Sequence, residues 1–95
     1  KEGILICGTG IGMSITANKH PGIYAALVTN IYAAKRSRLS NNANVICFGA
    51  LTTTPTLVKE FLNEWLKLEY KIGRSQPKLE AIHRIESEYF NEKRI

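Results

Sequence analysis

The chain has 95 residues, 44% hydrophobic and 22% charged, which fits one small globular domain and excludes a disordered or low-complexity chain. No apolar run approaches the roughly 18 residues that a membrane-spanning helix needs. Lys1 rather than Met stands first, as expected of a chain that starts partway through a longer product.

The net charge of +5 is unevenly spread. All eight acids are Glu, and none falls between Glu2 and Glu60, a stretch that carries Lys19, Lys35, Arg36, Arg38 and Lys59. That stretch offers no carboxylate base, no hard-metal carboxylate ligand and no aspartate for a triad. Its positive field suits an anionic ligand, although charge alone reads first as a solvated basic face. Cys7 and Cys47 lie far apart with no other ligand spacing around them. They make neither a disulfide framework nor a zinc set. Two free thiols point to a reducing compartment, hence the cytoplasm.

In chain order, Gly3 to Cys7 (G-I-L-I-C) is an apolar run expected to form a strand buried on both faces. A glycine-rich turn, Gly8-Thr9-Gly10-Ile11-Gly12, follows. Met13 to Lys19 is expected to be a short helix stopped by His20-Pro21-Gly22. Ile23 to Thr29 reads as a second buried strand, and Asn30 as the cap of a helix from Ile31 to about Leu39. After the polar turn Ser40 to Asn44 comes a third strand, Val45 to Phe48, closed by Gly49.

Thr54-Pro55 combines a hydroxyl cap with proline at the first helical position. Leu57, Phe61, Leu62, Trp65 and Leu68 then recur on one helical face. Tyr70 to Gln76 is a linker containing Gly73-Arg74, and Pro77 opens a last helix. This alternation is the signature of an α/β fold with a parallel sheet and right-handed crossovers. Three strands are few for such a sheet, and a free edge is a liability. Further strands are therefore expected from an absent N-terminal part or a partner chain.

Ligands of parallel α/β sheets bind beyond the carboxyl ends of the strands, where the strand, glycine loop and helix of residues 3–19 present bare backbone N–H groups. The spacing G-x-G-x-G is not the dinucleotide fingerprint, and no acid follows about 20 residues on. There is no G-K-[ST] for a Walker loop and no G-x-S-x-G elbow. Cys7 is what distinguishes the loop. A helix N-terminus nearby would lower its pKa and make the thiolate a base or nucleophile, with Thr9 donating to an oxyanion beside it. The alternative, a small buried hydrophobe, weighs equally on local evidence. For Cys47, inside an apolar strand, burial is the favoured reading.

The stretch Gly3-Ile-Leu-Ile-Cys7-Gly-Thr-Gly-Ile-Gly-Met-Ser14 resembles the ribose-5-phosphate isomerase B and galactose-6-phosphate isomerase family. So do Ala17-Asn18-Lys19, Gly22-Ile23, Ser37-Arg38, Asn44-Val45, Phe48-Gly49, Trp65-Leu66 and Gly73-Arg74. The resemblance runs without gaps from Gly3 to about Ile85. It implies a three-layer, Rossmann-like αβα sandwich. Residues 1–95 would then be a single domain, the C-terminal two-thirds of the family fold. It also implies an aldose–ketose isomerase acting through an enediolate without metal or organic cofactor, with ribose 5-phosphate the first substrate to expect. Galactose 6-phosphate, or an inactive partner subunit, is the alternative.

The resemblance assigns Cys7 as the base that moves the proton between C1 and C2. Thr9 and the N–H groups of Gly8, Gly10, Ile11 and Gly12 would assist ring opening and stabilise the enediolate oxygen. Asn41 corresponds to a residue near the sugar, and Arg74 to a phosphate-holding arginine. Lys78 stands where a second arginine is usual, a point charge in place of a bidentate fork. Family sites are built at a dimer interface, so a homodimer or higher homo-oligomer is expected. Departures from the pattern are specific: the ring-opening histidine falls at Ser40, another phosphate arginine at Leu51, and Ser75 replaces a histidine after Gly73-Arg74. The family's N-terminal Asp-His pair is not in this chain. His20 and His83 fall on no catalytic position and read as surface residues. A basic nucleic-acid-binding module is the alternative from another class, but the aromatics sit in apolar runs rather than between the basic residues. Neither nucleic acid nor membrane is expected as a partner.

Overall fold

In the computed structural model, which describes residues 1–93 (side chains for 1–90), three parallel strands alternate with helices. They are β1 (Gly3–Cys7), α1 (Ile11–Ala17), β2 (Ala25–Leu27), α2 (Ile31–Leu39), β3 (Val45–Gly49), α3 (Pro55–Lys67) and α4 (Gln76–Lys93). The sheet order is β1-β3-β2. The last strand in sequence is therefore central, with Gly3 opposite Val45, Cys7 opposite Gly49 and Leu27 opposite Cys47.

Two helix starts follow directly from local chemistry. Asn30 Oδ1 accepts the Ala33 N–H at 2.8 Å, and Thr54 Oγ1 accepts the Leu57 N–H at 3.4 Å ahead of Pro55. Each satisfies a donor that the first helical turn leaves without a partner. Helix α1 starts at Ile11, two residues before the expected start, and ends at Ala17. Its first turn can form there because Gly10 takes φ +80°, which swings the chain from the strand into the helix. Past Ala17, the Lys19 and His20 N–H groups bond three residues back, to Thr16 and Ala17, and the helix tightens into a turn.

Strand β2 is shorter than the run Ile23 to Thr29 suggests. The Tyr24 N–H donates to the Asn44 side chain and the Ala25 N–H to the Asn18 side chain, so asparagine amides stand where a ladder partner would be.

The layers follow from pleat alternation. On one side of β3, Ile46 and Phe48 join Val28, Ala34, Phe61 and Trp65 in the buried cluster beneath α2 and α3. On the other side Cys47 faces α1, with Ser14 beside it. This is the α/β three-layer arrangement. The guanidinium of Arg38 lies 3.8 Å over the Trp65 ring. Arg38 donates to the Ala43 carbonyl at 2.7 Å and pairs with the Glu2 carboxylate.

All five residues of β3 are buried. Strand β1 is not buried on both faces as its apolar run suggests: Ile4 and Ile6 are 47% and 55% exposed. Their register places them beside Ile46 and Phe48, but β1 is a sheet edge that α2 and α3 do not reach. Helix α4 is anchored by buried Leu79 and by Glu86, which accepts the Gly22 N–H at 3.0 Å and the Tyr24 hydroxyl at 2.8 Å.

Candidate active site

Cys7 ends β1, and the chain then crosses the carboxyl end of the sheet. The crossing is tight. A Cβ on Gly10 would lie 2.5 Å from Leu27 Cδ1 and 2.9 Å from the Phe48 carbonyl carbon. One on Gly49 would lie 2.5 Å from the Thr9 carbonyl. The Ala50 N–H donates to the Cys7 carbonyl at 2.8 Å, and the Leu51 N–H to that of Gly8 at 2.9 Å. These two bonds strap the loop to the turn after β3. Glycine at 10 and 49 thus serves the close approach of two backbones.

The strapped loop aims its amides at the sulfur. The Gly10 N–H donates to Cys7 Sγ at 3.2 Å. The Met13 N–H above all, then those of Gly10, Thr9 and Gly12, holds the thiol below its ordinary pKa against a partial opposing effect of desolvation. Hydrogen bonds to the charged form are the cause. Of the two readings left open for Cys7, the half-buried thiol in a nest of amides fits a stabilised thiolate better than a packing residue. Cys47 is the opposite case: it is fully buried, and desolvation pushes its pKa up. Thr9 is exposed, and its Oγ1 accepts the Ile11 N–H at 3.2 Å, which leaves the hydroxyl proton free to donate outward. Gly8, Ile11 and Gly12 are exposed around the same sulfur.

The other expected site residues gather elsewhere. Asn41, Arg74 and Lys78 line one pocket together with Tyr32, Ser40 and Ser75. Asn41 follows the C-terminus of α2, while Arg74 and Lys78 come from the turn and first residues of α4, where the Gln76 N–H closes onto the Gly73 carbonyl at 3.0 Å. No Cys7-loop residue lines this pocket. Because β1 and β3 are parallel and Cys7 pairs with Gly49, the loop lies past the carboxyl end of the sheet. Asn41 leads into the amino end, about 13 Å away along the strands at ~3.3 Å per residue. The Cys7 loop and the basic pocket thus lie on different parts of the chain's surface.

Arg36 also lines the pocket, and the sequence reading did not single it out. Its Nε donates to Ser40 Oγ at 2.8 Å, and a second guanidinium N–H bonds the same oxygen. The signal was available as spacing, since residues four apart on a helix face each other. Leu51, at the position of a family arginine, is 85% exposed in the turn that straps the loop. His20 and His83 are exposed as expected, His83 packing at a tilt against Tyr24 at 5.3 Å between ring centroids. Among the described residues, no three His, Cys or Glu side chains converge as a metal-ligand set, and no helix is long and apolar enough to cross a membrane.

The model of the Ribose/Galactose Isomerase family matches residues 1–82. The chain is 52% identical over 82 residues to a D-erythrulose-4-phosphate isomerase of Pectobacterium atrosepticum, covering 86% of this chain and 54% of that protein. It is 48% identical over 85 residues to a ribose-5-P isomerase B of Listeria innocua, covering 90% and 57%. The chain spans about half the length of the curated relatives it matches. Its fold superposes on the ribose-5-phosphate isomerase B of Clostridium thermocellum with a TM-score of 0.89 at 44% identity, over 93% of this chain and 60% of that one. A family match across most of the chain, joined to the same fold and an intact Cys7-Gly8-Thr9-Gly10-Ile11-Gly12 loop, makes this chain a member of the ribose/galactose isomerase family.

Proposed function

We propose that the protein interconverts an aldose phosphate and its ketose by proton transfer at Cys7. The observation that carries this reading is the nest of amides at the end of β1, which favours the thiolate. In the aldose-to-ketose direction the thiolate takes the proton from C2 of the open-chain sugar, and the electron pair left behind forms the C1–C2 double bond of an enediolate. The negative charge on the former carbonyl oxygen is met by loop N–H groups and the Thr9 hydroxyl. The O2 proton passes to O1, Cys7 returns its proton to C1, and the ketone forms at C2. Arg74 and Lys78 hold the phosphate, and Asn41 bonds the sugar.

The Cys7 loop and the basic pocket lie apart in one protomer, so the complete site takes Cys7 from one copy and the basic pocket from another. Residues 1–95 act as one domain, the C-terminal part of the family fold. The exposed Ile4 and Ile6 beside the free edge of β1 support that assignment. The two free thiols suit a reducing, cytoplasmic setting.

Ribose 5-phosphate is the first substrate to test, in line with the Listeria relative. Ser40 favours a second reading. A tetrose 4-phosphate has its O4 esterified and cannot close a furanose ring, so it needs no ring-opening histidine, and the Pectobacterium relative is named for such a sugar. The test is deuterium exchange at C2 in D₂O, followed by NMR, on ribose 5-phosphate and erythrose 4-phosphate with the full-length protein. Exchange that disappears in Cys7→Ala with the fold retained supports the reading; unchanged exchange refutes it. Mixing Cys7→Ala with Arg74→Ala is expected to restore about a quarter of wild-type turnover, since half the dimers are mixed and each has one intact site. No recovery from exchanging dimers refutes the shared site.

A further inference from the structure

We propose that Arg36, turned into the basic pocket by Ser40, is a third direct ligand for the phosphate group of the substrate, beside Arg74 and Lys78. The identity of the substrate rests on the isomerase reading above; the phosphate site itself does not. A guanidinium carries five N–H donors. Two of Arg36's are directed at the single oxygen of Ser40, one helical turn on, which fixes the plane of the group. Its remaining donors have no acceptor among the described residues.

No carboxylate neutralises it. The only ion pair among the described residues is Arg38 with Glu2, and no acid lines the pocket. The cations converge from two elements, Arg36 from α2 and Arg74 and Lys78 from the start of α4. Three positive side chains, with neutral Asn41 and Ser75 lining the same pocket, match the charge and acceptor-rich surface of a phosphate monoester. The neighbouring basic residues of α2 do not share this role. Lys35 is exposed and does not line the pocket, whereas Arg38 is buried and spent on Ala43, Glu2 and the Trp65 ring.

The position of Ser40 gives it a matching task. Without its oxygen Arg36 keeps its charge but loses its aim. Ser40 is thus a positioning residue for Arg36.

The experiment titrates inorganic phosphate into the full-length protein by calorimetry and measures KM and kcat with the sugar phosphate, for wild type, Arg36→Gln, Arg36→Lys, Ser40→Ala and Lys35→Gln. Arg36→Gln is expected to weaken phosphate binding and raise KM about tenfold or more, the scale of one charge-assisted bond, with kcat within about twofold. Lys35→Gln, which removes the same charge from the same helix, is expected to change either by less than about twofold. Arg36→Lys and Ser40→Ala fall between, with melting temperatures near that of the wild type. If Arg36→Gln weakens phosphate no more than Lys35→Gln does, the assignment is overturned while the isomerase reading stands on turnover. A wild type that binds no phosphate also overturns it. Arg36-dependent phosphate binding in a protein that turns over no sugar phosphate keeps this inference and removes the isomerase reading.

Discussion

Gly10→Ala tests the loop geometry that aims the backbone amides at the Cys7 thiol. Gly10 has φ +80°, a conformation that costs a residue with a Cβ about 1–2 kcal/mol. The added carbon would also lie 2.5 Å from Leu27 Cδ1 and about 3 Å from the Phe48 carbonyl group, which is rigid backbone of the central strand. Overpacking of this kind costs about 1–3 kcal/mol, so the total loss is about 2–5 kcal/mol. A 95-residue domain has only roughly 5–14 kcal/mol to lose. The assay is urea denaturation with the midpoint and the slope fitted separately, since a midpoint change at constant slope reports stability. Gly12→Ala is the internal control: its Cβ meets nothing within 4 Å, it lies inside α1, and alanine there is expected to be neutral or stabilising by up to about 1 kcal/mol. A Gly10→Ala midpoint equal to that of Gly12→Ala would refute the described crossing of loop and β3. The same substitution also displaces the Gly10 N–H from Cys7 Sγ, so the surviving folded fraction should alkylate at Cys7 only at higher pH than wild type.

Trp65→Ala is expected to cost about 3–5 kcal/mol, read by the same denaturation, because the ring is fully buried and Arg38 stacks on it. The pH–rate profile of iodoacetamide alkylation should titrate below the ordinary thiol range at Cys7, while Cys47 stays unmodified until the chain unfolds. Turnover should accordingly be retained below the pH where a free thiol would lose it, and kcat/KM should fall with acid only as the lowered Cys7 pKa is crossed. Ultraviolet titration should place the Tyr24 phenol near a pKa of about 12, raised by burial and by the Glu86 carboxylate that accepts its proton. A raised folded-state pKa favours the protonated form. Its contribution to stability is therefore complete below the unfolded value of 10.0 and is lost as pH climbs toward about 12. Tyr24→Phe should flatten that part of the stability profile.

Much of this molecule is written in short windows of sequence. Asn30 and Thr54-Pro55 start their helices through bonds three residues long, and both form as the residue types suggest. The order of strands and helices follows from alternating apolar runs and turns, and the Cys7 loop declares itself by its spacing. Those signals are local, so they survive without knowledge of the fold. The exposure of Ile4 and Ile6 is different: an apolar run says that a strand wants two covered faces, not whether helices reach both. The sheet order β1-β3-β2, which makes the last strand the centre, is set by packing between distant segments. That order and the parallel register separate Cys7 from Asn41, Arg74 and Lys78, although the resemblance assigns all four to one reaction. Arg36 belongs with this second group. Lys35, Arg36 and Arg38 are alike as letters in a basic helix, and only the packing of α2 against its surroundings makes one exposed, one buried over the Trp65 ring, and one free to meet an anion. The sequence alone determined the elements because bonds within a few residues encode them; burial, strand order, the strapping of the Cys7 loop onto the turn after β3 and the grouping of charges depend on contacts between distant parts of the chain, and only the tertiary structure decides those.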